Sequence, residues 1–521
     1  MYPLTKKQTN VVKKIYKFLF KSTDKMFYLL GYAGTGKTYL VSRIIKELLV
    51  EDKMDQIFVC APSHQALDNI KKYIITNMNT SDKPDKQSDK QSDKQSDKRP
   101  ISFPQAPSEL INKVTFMTIH KLLEFKPMIA TKNGSKVFKS SNESKFLKQI
   151  DKKLVIIDEC SMICKEMVSE LFKYASLYPL KIIFMGDSKQ LPPVKEKEGK
   201  IFTSISEDYE HFVQLQEIMR TKSQDIKDVC SIIRNWDRKE SLTNLLVPIY
   251  KRNVDNKSFK LYHKKSDYHE STWFKNIIFK LNNGLFPIVL VWKNITADTY
   301  NHIIRQHVHQ SQNINNYMAG DYVVFNDYYL STDGTASFHT SNIVKILNIN
   351  TETKLLFEWD KHLIKKCTSN IEKMFNDTLS KLSQLPITFN IDTCTVEKVN
   401  HESSDISESI YYTIQTVNLN DLKIYQKMLE DGQKTIEYFF KKWSNETYTK
   451  KLWDFYHRKL LNPYAKINFS HSLTTHKAQG STFSHVLVDV QDIFENHNIS
   501  EVKQLLYTAA GRASNELSFI M

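Results

Sequence analysis

Glycine is scarce in this chain, 12 among 521 residues. Three of them, Gly31, Gly34 and Gly36, nevertheless fall within six positions, so that cluster is not a by-product of a glycine-rich composition. Cysteine is also sparse. The six are scattered, and Cys160 and Cys164 form one CxxxC with no second pair, which supports neither a zinc site nor a disulfide framework. A reducing, intracellular compartment is expected. Long apolar runs are missing. The segment LFPIVLVW, Leu285 to Trp292, is too short to span a bilayer and reads as a buried strand. The first residues lack the apolar core of a signal peptide, so neither secretion nor a membrane partner is expected. Acids are in deficit, 58 against 73 Lys and Arg, leaving a formal charge of +15. That excess favours a polyanionic partner, although a Lys-, Asn- and Ile-rich usage also follows from an AT-rich genome.

The chain is long enough for two or more domains. VVKKIYKFLF reads as a helix, MFYLL as a buried strand, TYLVSRIIKELL as a helix and QIFVCAP as a second strand. That alternation predicts an α/β fold with a parallel sheet. The repeat from Ser81 to Arg99 has balanced charge and no apolar residue, and reads as a disordered surface insertion over about 78–105. KLVIIDE and KIIFMGD are buried strands, each ending in an acid. Phe125 to Lys139 alternates apolar and polar residues around Asn133-Gly134 and predicts a β-hairpin. AGDYVVFNDYY and NIVKILNINTETKLLFEW suggest short antiparallel strands, and a charged helical stretch runs from about Asn420 to Leu461. HVLVDV, VKQLLYTAAGRAS and ELSFIM then return to strand, helix and strand. A second α/β domain is thus interrupted by an inserted β-rich and helical module.

The motifs carry the chemistry. GYAGTGKT, Gly31 to Thr38, lies between a strand and a helix, the context of a P-loop. Its glycines let backbone N–H groups face phosphates, Lys37 reaches the β- and γ-phosphates, and Thr38 supplies a ligand to Mg²⁺. Asp158 ends a strand, where it can hold Mg²⁺, and Glu159 beside it can orient the attacking water. Gln190, in GDSKQLPPV, can sense the γ-phosphate from a loop stiffened by Pro192-Pro193. Arg220 in LQEIMR and Arg512 in YTAAGRAS are the candidates for the extra positive charge that phosphoryl transfer requires. The order of these motifs along the chain implies a nucleotide site shared between two domains, with both arginines on the second.

This set resembles the superfamily 1 helicases, and more closely the 1B branch containing RecD and the phage Dda-type enzymes. APSHQALDNI, Ala61 to Ile70, resembles that branch's motif Ia, and TIHKLL, Thr118 to Leu123, its motif Ib. DECSM, GDSKQLPPV, the LQEIMR arginine, VLVWKN with Asn301, THKAQGST and YTAAGRA follow in the family's order. The resemblance covers roughly 1–330 and 464–521. It implies two RecA-like motor domains: 1–120 with 150–215, and 216–300 with 464–521. A hairpin or pin (121–149) is inserted in the first, and an SH3-like β plus helical module (301–463) in the second. It implies an ATP-binding set of Gln8, Gly31, Ala33, Gly34, Thr35, Gly36, Lys37, Thr38 and Gly480, with Gln8 reading adenine. It implies a single-stranded DNA path along Pro62, Ser63, His64, Thr118 and His120, then Trp292, Thr474, His476 and Lys477. Trp292 would stack on a base, and the hairpin would split the duplex. Gly511 stands where relatives carry Thr or Ser, and Cys160 where Ala or Val is usual.

The implied activity is an ATP- and Mg²⁺-dependent DNA helicase moving 5′ to 3′, monomeric and intracellular. Its implied partners are single-stranded DNA, single-strand/duplex junctions and replication or recombination proteins. The composition and the Dda-type likeness point to a phage or large DNA virus, hence to the host cytoplasm. No nuclease motif or long N-terminal accessory domain is visible, unlike a RecD-type nuclease subunit. Alternatives are a Pif1-type enzyme, whose signature between DECSM and GDSKQ is missing, or a translocase that displaces proteins without unwinding. A nucleotide-gated DNA-binding protein is the alternative from another class, and the intact catalytic set argues against it.

Overall fold

The computed structural model describes residues 4–79, 111–140, 144–148, 153–193, 209–252, 258–264, 267–355, 369–383, 388–399 and 410–521. The Ser81–Arg99 repeat lies outside them. Contacts divide the chain into two units: residues 1–124 with 141–227, and residues 125–140 with 228–521.

In the first unit, β1 (Met26–Gly31), β2 (Gln56–Ala61) and β3 (Val114–Thr118) are followed along the chain by a hairpin, β4 (Phe125–Ile129) and β5 (Lys136–Ser140). Then come β6 (Lys153–Ile157), β7 (Leu180–Gly186) and β8 (Phe212–Leu215). Six of these strands form one sheet in the order β3-β2-β6-β7-β1-β8, and every pair is parallel. Strands buried on both faces must be apolar throughout. β6 is accordingly buried along its whole length, and β1 and β2 at all but their first residue. Helix Lys6–Lys21 buries Val11, Ile15, Phe18 and Leu19, and helix Lys37–Val50 buries Leu40, Val41, Ile44, Ile45, Leu48 and Leu49, in one core with β1 and β2. Each fully buried aliphatic or aromatic side chain contributes about 1.5–3 kcal/mol.

The second unit contains β9 (Phe259–Tyr262), β10 (Pro287–Val291), β11 (Tyr322–Phe325), β12 (Tyr329–Leu330), β13 (Ser337–Phe338), β14 (Ile343–Leu355), β15 (Thr388–Lys398) and β16 (Tyr411–Val417). It ends with β17 (Ile467–Phe469), β18 (Ser472–Thr474), β19 (Phe483–Asp489) and β20 (Ala513–Ile520). One sheet, β18-β10-β19-β20-β9, is again all parallel. Each unit thus holds one all-parallel sheet, the arrangement expected of two RecA-like domains. A second, antiparallel sheet runs β16-β15-β14-β11-β17. Ala465 N donates to Gln415 O, which ties the segment entering β17 to β16 and curls this sheet toward a barrel. Helices Leu422–Trp443 and Glu446–Phe455 complete the inserted module.

The barrel is anchored to its core by a buried ion pair. Arg305, on helix Asn294–Val308, forks onto Asp321 through Nε and Nη2, both at 2.8 Å, and donates to Ile314 O and Asn316 O. Its guanidinium lies 3.6 Å from the Phe469 ring centre. Two charges this deep are tolerated because four of the five guanidinium N–H groups and both carboxylate oxygens have partners. Asn301, read above as part of a motif, is a second stitch. Its amide bonds Phe469 O, Ser472 O and Ser472 N, holding β17 to β18.

Two boundaries differ from the sequence reading. The first unit runs on to Lys227, so Arg220 belongs with the P-loop and not with the later segments. The hairpin, inserted in the chain between β3 and β6, packs with the second unit. Its connection is a six-residue loop, Ala130–Ser135, not a two-residue Asn-Gly turn. Gly134 N donates to Ala130 O, and Gly134 is left-handed at φ +65°. The loop docks on helix Glu446–Phe455 and the π-turn that follows: Trp453 Nε1 donates to Thr131 O at 3.0 Å and His457 Nε2 to Gly134 O at 3.1 Å. A Cβ on Gly134 would lie 2.3 Å from the Trp453 ring. Gly134→Val therefore combines backbone strain of about 1–2 kcal/mol with overpacking of about 1–3 kcal/mol. Trypsin should then cut after the exposed Lys132 much faster than in the parent protein, with little change in cleavage of the first unit.

Candidate functional site

β1, β6 and β7 deliver their last residues to one edge of the first unit's sheet, the edge where parallel α/β folds bind ligands. The P-loop leaves β1 there. Gly34 and Gly36 are left-handed, at φ +76° and +78°, conformations that need glycine. Helix Lys37–Val50 starts at Gly36 with no side-chain cap, and the N-terminus of a helix is a favourable place for an anion. Lys37 Nζ donates to Gly31 O at 2.8 Å and Tyr32 O at 3.0 Å. Burial lowers its pKa, opposed by Asp187, Glu159 and Asp158.

Asp158 and Thr38 meet here, with Thr38 Oγ1 3.4 Å from Asp158 Oδ2. Asp158 also accepts from Glu159 N at 2.9 Å. Burial, then the neighbouring Glu159 charge, pushes the Asp158 carboxyl up to about 6. Glu159 is left-handed at φ +49°, an uncommon conformation for this residue that turns the chain sharply after β6. Cys160 is fully buried, and a Cβ on Gly186 would come within 2.6 Å of its sulfur. The departure at Cys160 is thus a packing contact, and it requires glycine at the end of β7. Asp187 is buried and accepts from Lys189 N, and Gln190, also buried, donates its own N–H to Asp187 O.

Arg220 lies over the P-loop. Met219 N and Arg220 N both donate to Gly34 O, at 2.6 and 2.9 Å, while the Arg220 residue stays exposed. Gln8 is buried, with Nε2 3.2 Å from where a Gly36 Cβ would sit, and it closes a capping box with Thr5. Lys37, Thr38, Asp158, Glu159, Asp187, Gln190, Arg220 and Gln8 therefore surround one loop. Glycine-exposed N–H groups, a lysine and a hydroxyl beside a carboxylate fit a nucleoside triphosphate.

The remaining expected residues fall in two further groups. In the first unit, Ala61 and Thr118 are register partners at the ends of β2 and β3. Ser63 Oγ accepts from Ala66 N and Thr118 Oγ1 from Lys121 N, so both hydroxyls cap helices. His64 is exposed and His120 half-buried. Burial lowers the pKa of both, and His64 lowers His120 further. In the second unit, Thr474 is buried, with Oγ1 accepting from Lys477 N. His476 lies 3.7 Å from Glu501, and Lys477 Nζ donates to Asn326 at 3.0 Å. Gly480 is left-handed at φ +85°. Arg512 is 1% exposed, its guanidinium donating to Thr508 O and Ser481 O. Gly511 closes its helix through N–H bonds to Tyr507 O and Ala509 O, so the Arg512 side chain is held without a hydroxyl at 511.

One residue absent from the sequence reading is Asp492. This carboxylate, 2% exposed, accepts from Trp292 N at 2.6 Å, Lys293 N at 3.0 Å and Thr296 Oγ1 at 2.6 Å. It fixes the turn that carries Trp292 out of β10. The available signal was an acid three residues beyond Asp489, the acid in HVLVDV, a spacing that places both at a strand-to-helix turn.

A P-loop closed by two strand-end acids defines a nucleoside-triphosphate site. The family model "AAA domain" matches residues 3–246, and "UvrD-like helicase C-terminal domain" matches 469–520. An uncharacterised protein of Acanthamoeba polyphaga mimivirus is 45% identical over 515 residues, 99% of each chain. The RecD subunit of the RecBCD enzyme of Buchnera aphidicola is 27% identical over 257 residues, 46% of this chain and 37% of that one. Among solved structures, Pif1 helicase from Candida albicans aligns over 100% of this chain and 94% of its own, with 15% identity and a TM-score of 0.46. Pif1 helicase from Bacteroides, in complex with ADP-AlF3 and single-stranded DNA, aligns over 99% and 92%, with 16% identity and a TM-score of 0.44. The two family models and the RecD match support an ATP-dependent DNA helicase of superfamily 1B.

Two outcomes follow from this geometry. Lys37→Ala should lower ATPase activity by about 100-fold or more, while single-stranded DNA binding, measured by fluorescence anisotropy, stays near that of the parent. Asp492→Ala leaves two part-buried N–H groups without their acceptor, at up to about 1 kcal/mol each. It should raise the DNA concentration that half-maximally stimulates ATPase and leave the saturated rate nearly unchanged.

Proposed function

We propose that this helicase translocates 5′ to 3′ on single-stranded DNA and separates duplex ahead of it, using Mg²⁺-ATP. The observation that carries the nucleotide chemistry is the meeting of Lys37, Thr38 and Asp158 on one sheet edge. Thr38 and Asp158 would hold Mg²⁺, which supplies charge neutralisation between the β- and γ-phosphates. Lys37 would exchange its two carbonyl partners for phosphate oxygens, Glu159 would orient the attacking water, and Gln190 would report on the γ-phosphate. Arg220 and Arg512 would supply positive charge during transfer, and Gln8 would read the base. Pro62, Ser63, His64, Thr118 and His120 would contact the DNA backbone from one unit, and Trp292, His476 and Lys477 from the other. These are short donors and a stacking ring, suited to sequence-independent tracking.

The hairpin would serve as the wedge. Its loop is docked through Trp453 and His457, so the exposed Met128 and Phe138 on its strands are the surfaces offered to a junction. A monomer acting at single-strand/duplex junctions within a viral replication or recombination setting is the reading we favour, and the mimivirus relative supports the viral part.

Direction rests on the resemblance to the RecD branch alone, since the catalytic set works either way. Partial duplexes with a 5′ or a 3′ tail test it, with ATPase followed in parallel. Unwinding of the 5′-tailed substrate and DNA-stimulated hydrolysis are expected. Unwinding of the 3′-tailed substrate alone would overturn the polarity, and DNA binding without hydrolysis would overturn the motor itself.

A further inference from the structure

The inserted barrel reaches the Thr474–Gly480 loop through two loops of its own. The first leaves β11 as Asn326-Asp327-Tyr328, and Asn326 Oδ1 accepts from Lys477 Nζ at 3.0 Å. The second is the turn His339–Asn342, in which Ser341 Oγ donates to Lys477 O at 3.1 Å. Ser341 is left-handed at φ +74°, an uncommon conformation for serine, and in it the hydroxyl reaches that carbonyl. The two loops are locked together. Ser341 N donates to Phe325 O, Phe325 N to Asn342 O, and His339 N to Asn342 Oδ1. Beneath them Phe325 and Phe338, both buried, stack at 4.5 Å.

On the outside of this rigid pair of loops stands Tyr328. It is 57% exposed, and its ring is 5.3 Å from that of His339. The core beneath is already filled, so burial does not explain the tyrosine. Nearby, the Asp327 charge is paired with Lys466 at 3.5 Å, and Lys398 lies 5.1 Å from the Phe338 ring centre. Only Asp327 separates Tyr328 from the residue that holds the Lys477 ammonium.

We propose that Tyr328, backed by His339, is a stacking station for one unpaired base of single-stranded DNA, continuous with the grip on the backbone at Lys477. Lys477 takes a phosphate, Asn326 aims it, and the adjoining base lies on the Tyr328 ring. The barrel thereby contributes to DNA binding directly. A neutral, upright aromatic ring accepts any base, because every base has a π-face. This rests on the reading of the His476–Lys477 loop as a DNA contact.

The test uses the full-length protein and two labelled oligonucleotides of equal length, oligothymidylate and its abasic counterpart, in anisotropy titrations over a range of salt. The parent should prefer oligothymidylate. Tyr328→Ala should weaken oligothymidylate binding about 5-fold or more, leave abasic binding and the slope of log Kd against log salt unchanged, and keep the melting temperature. Tyr328→Phe should restore the preference. Unchanged oligothymidylate binding by Tyr328→Ala, or equal loss on both oligonucleotides, overturns the station. Lys477→Ala, by contrast, should weaken both oligonucleotides and flatten the salt slope. If it does neither, the loop is not a DNA contact, and the station falls with it.

Discussion

The buried ammonium of Lys37 is the constraint around which the first unit is arranged. A positive charge taken out of water is costly unless it is compensated. Here two carbonyls of the P-loop accept from it, and Asp158, Glu159 and Asp187 surround it from the ends of two other strands. That compensation works only if β1, β6 and β7 end together, which parallel pairing in register secures. The same clustering crowds Asp158 against Glu159 and pushes the Asp158 carboxyl up. An ammonium at the P-loop and an acid reluctant to ionise together make a site primed for a divalent cation and a polyanion.

The second unit solves a different problem, that of attaching an inserted module firmly enough to transmit force. It does so with buried polar stitches alongside ring contacts such as Phe286 with Tyr322. Arg305 with Asp321, and Asn301 with the strand ends of β17 and β18, each satisfy several backbone groups at once, as Asp492 does for the turn after β10 within the parallel core. Such groups tolerate only one geometry, because any slip leaves a buried donor unpaired. Lys477 is set by the same means, from Asn326 and Ser341 of the barrel.

The hairpin shows how chain order and packing part company. It is inserted between two strands of the first sheet, yet its loop is covered by Trp453 and tied to His457. A hairpin of two short strands is marginal alone, and the Trp453 ring over Gly134 supplies the burial it lacks.

Much of this was written in the sequence by itself. Apolar runs ending in acids marked β6 and β7, the glycine cluster marked the P-loop, and motif order marked the family, because backbone chemistry at a phosphate site leaves few residue choices. Only the tertiary structure decided the rest. Arg220 looked like part of the later domain, but its N–H bonds Gly34 O, a backbone contact that no side chain announces. Asn301 looked functional and is a stitch, while Asp492 looked ordinary and holds the Trp292 turn. The hairpin's partner, Trp453, lies more than three hundred residues away along the chain. Local pattern fixes what each segment becomes; which segments meet depends on long-range pairing of buried polar groups, and that pairing has no periodicity to read.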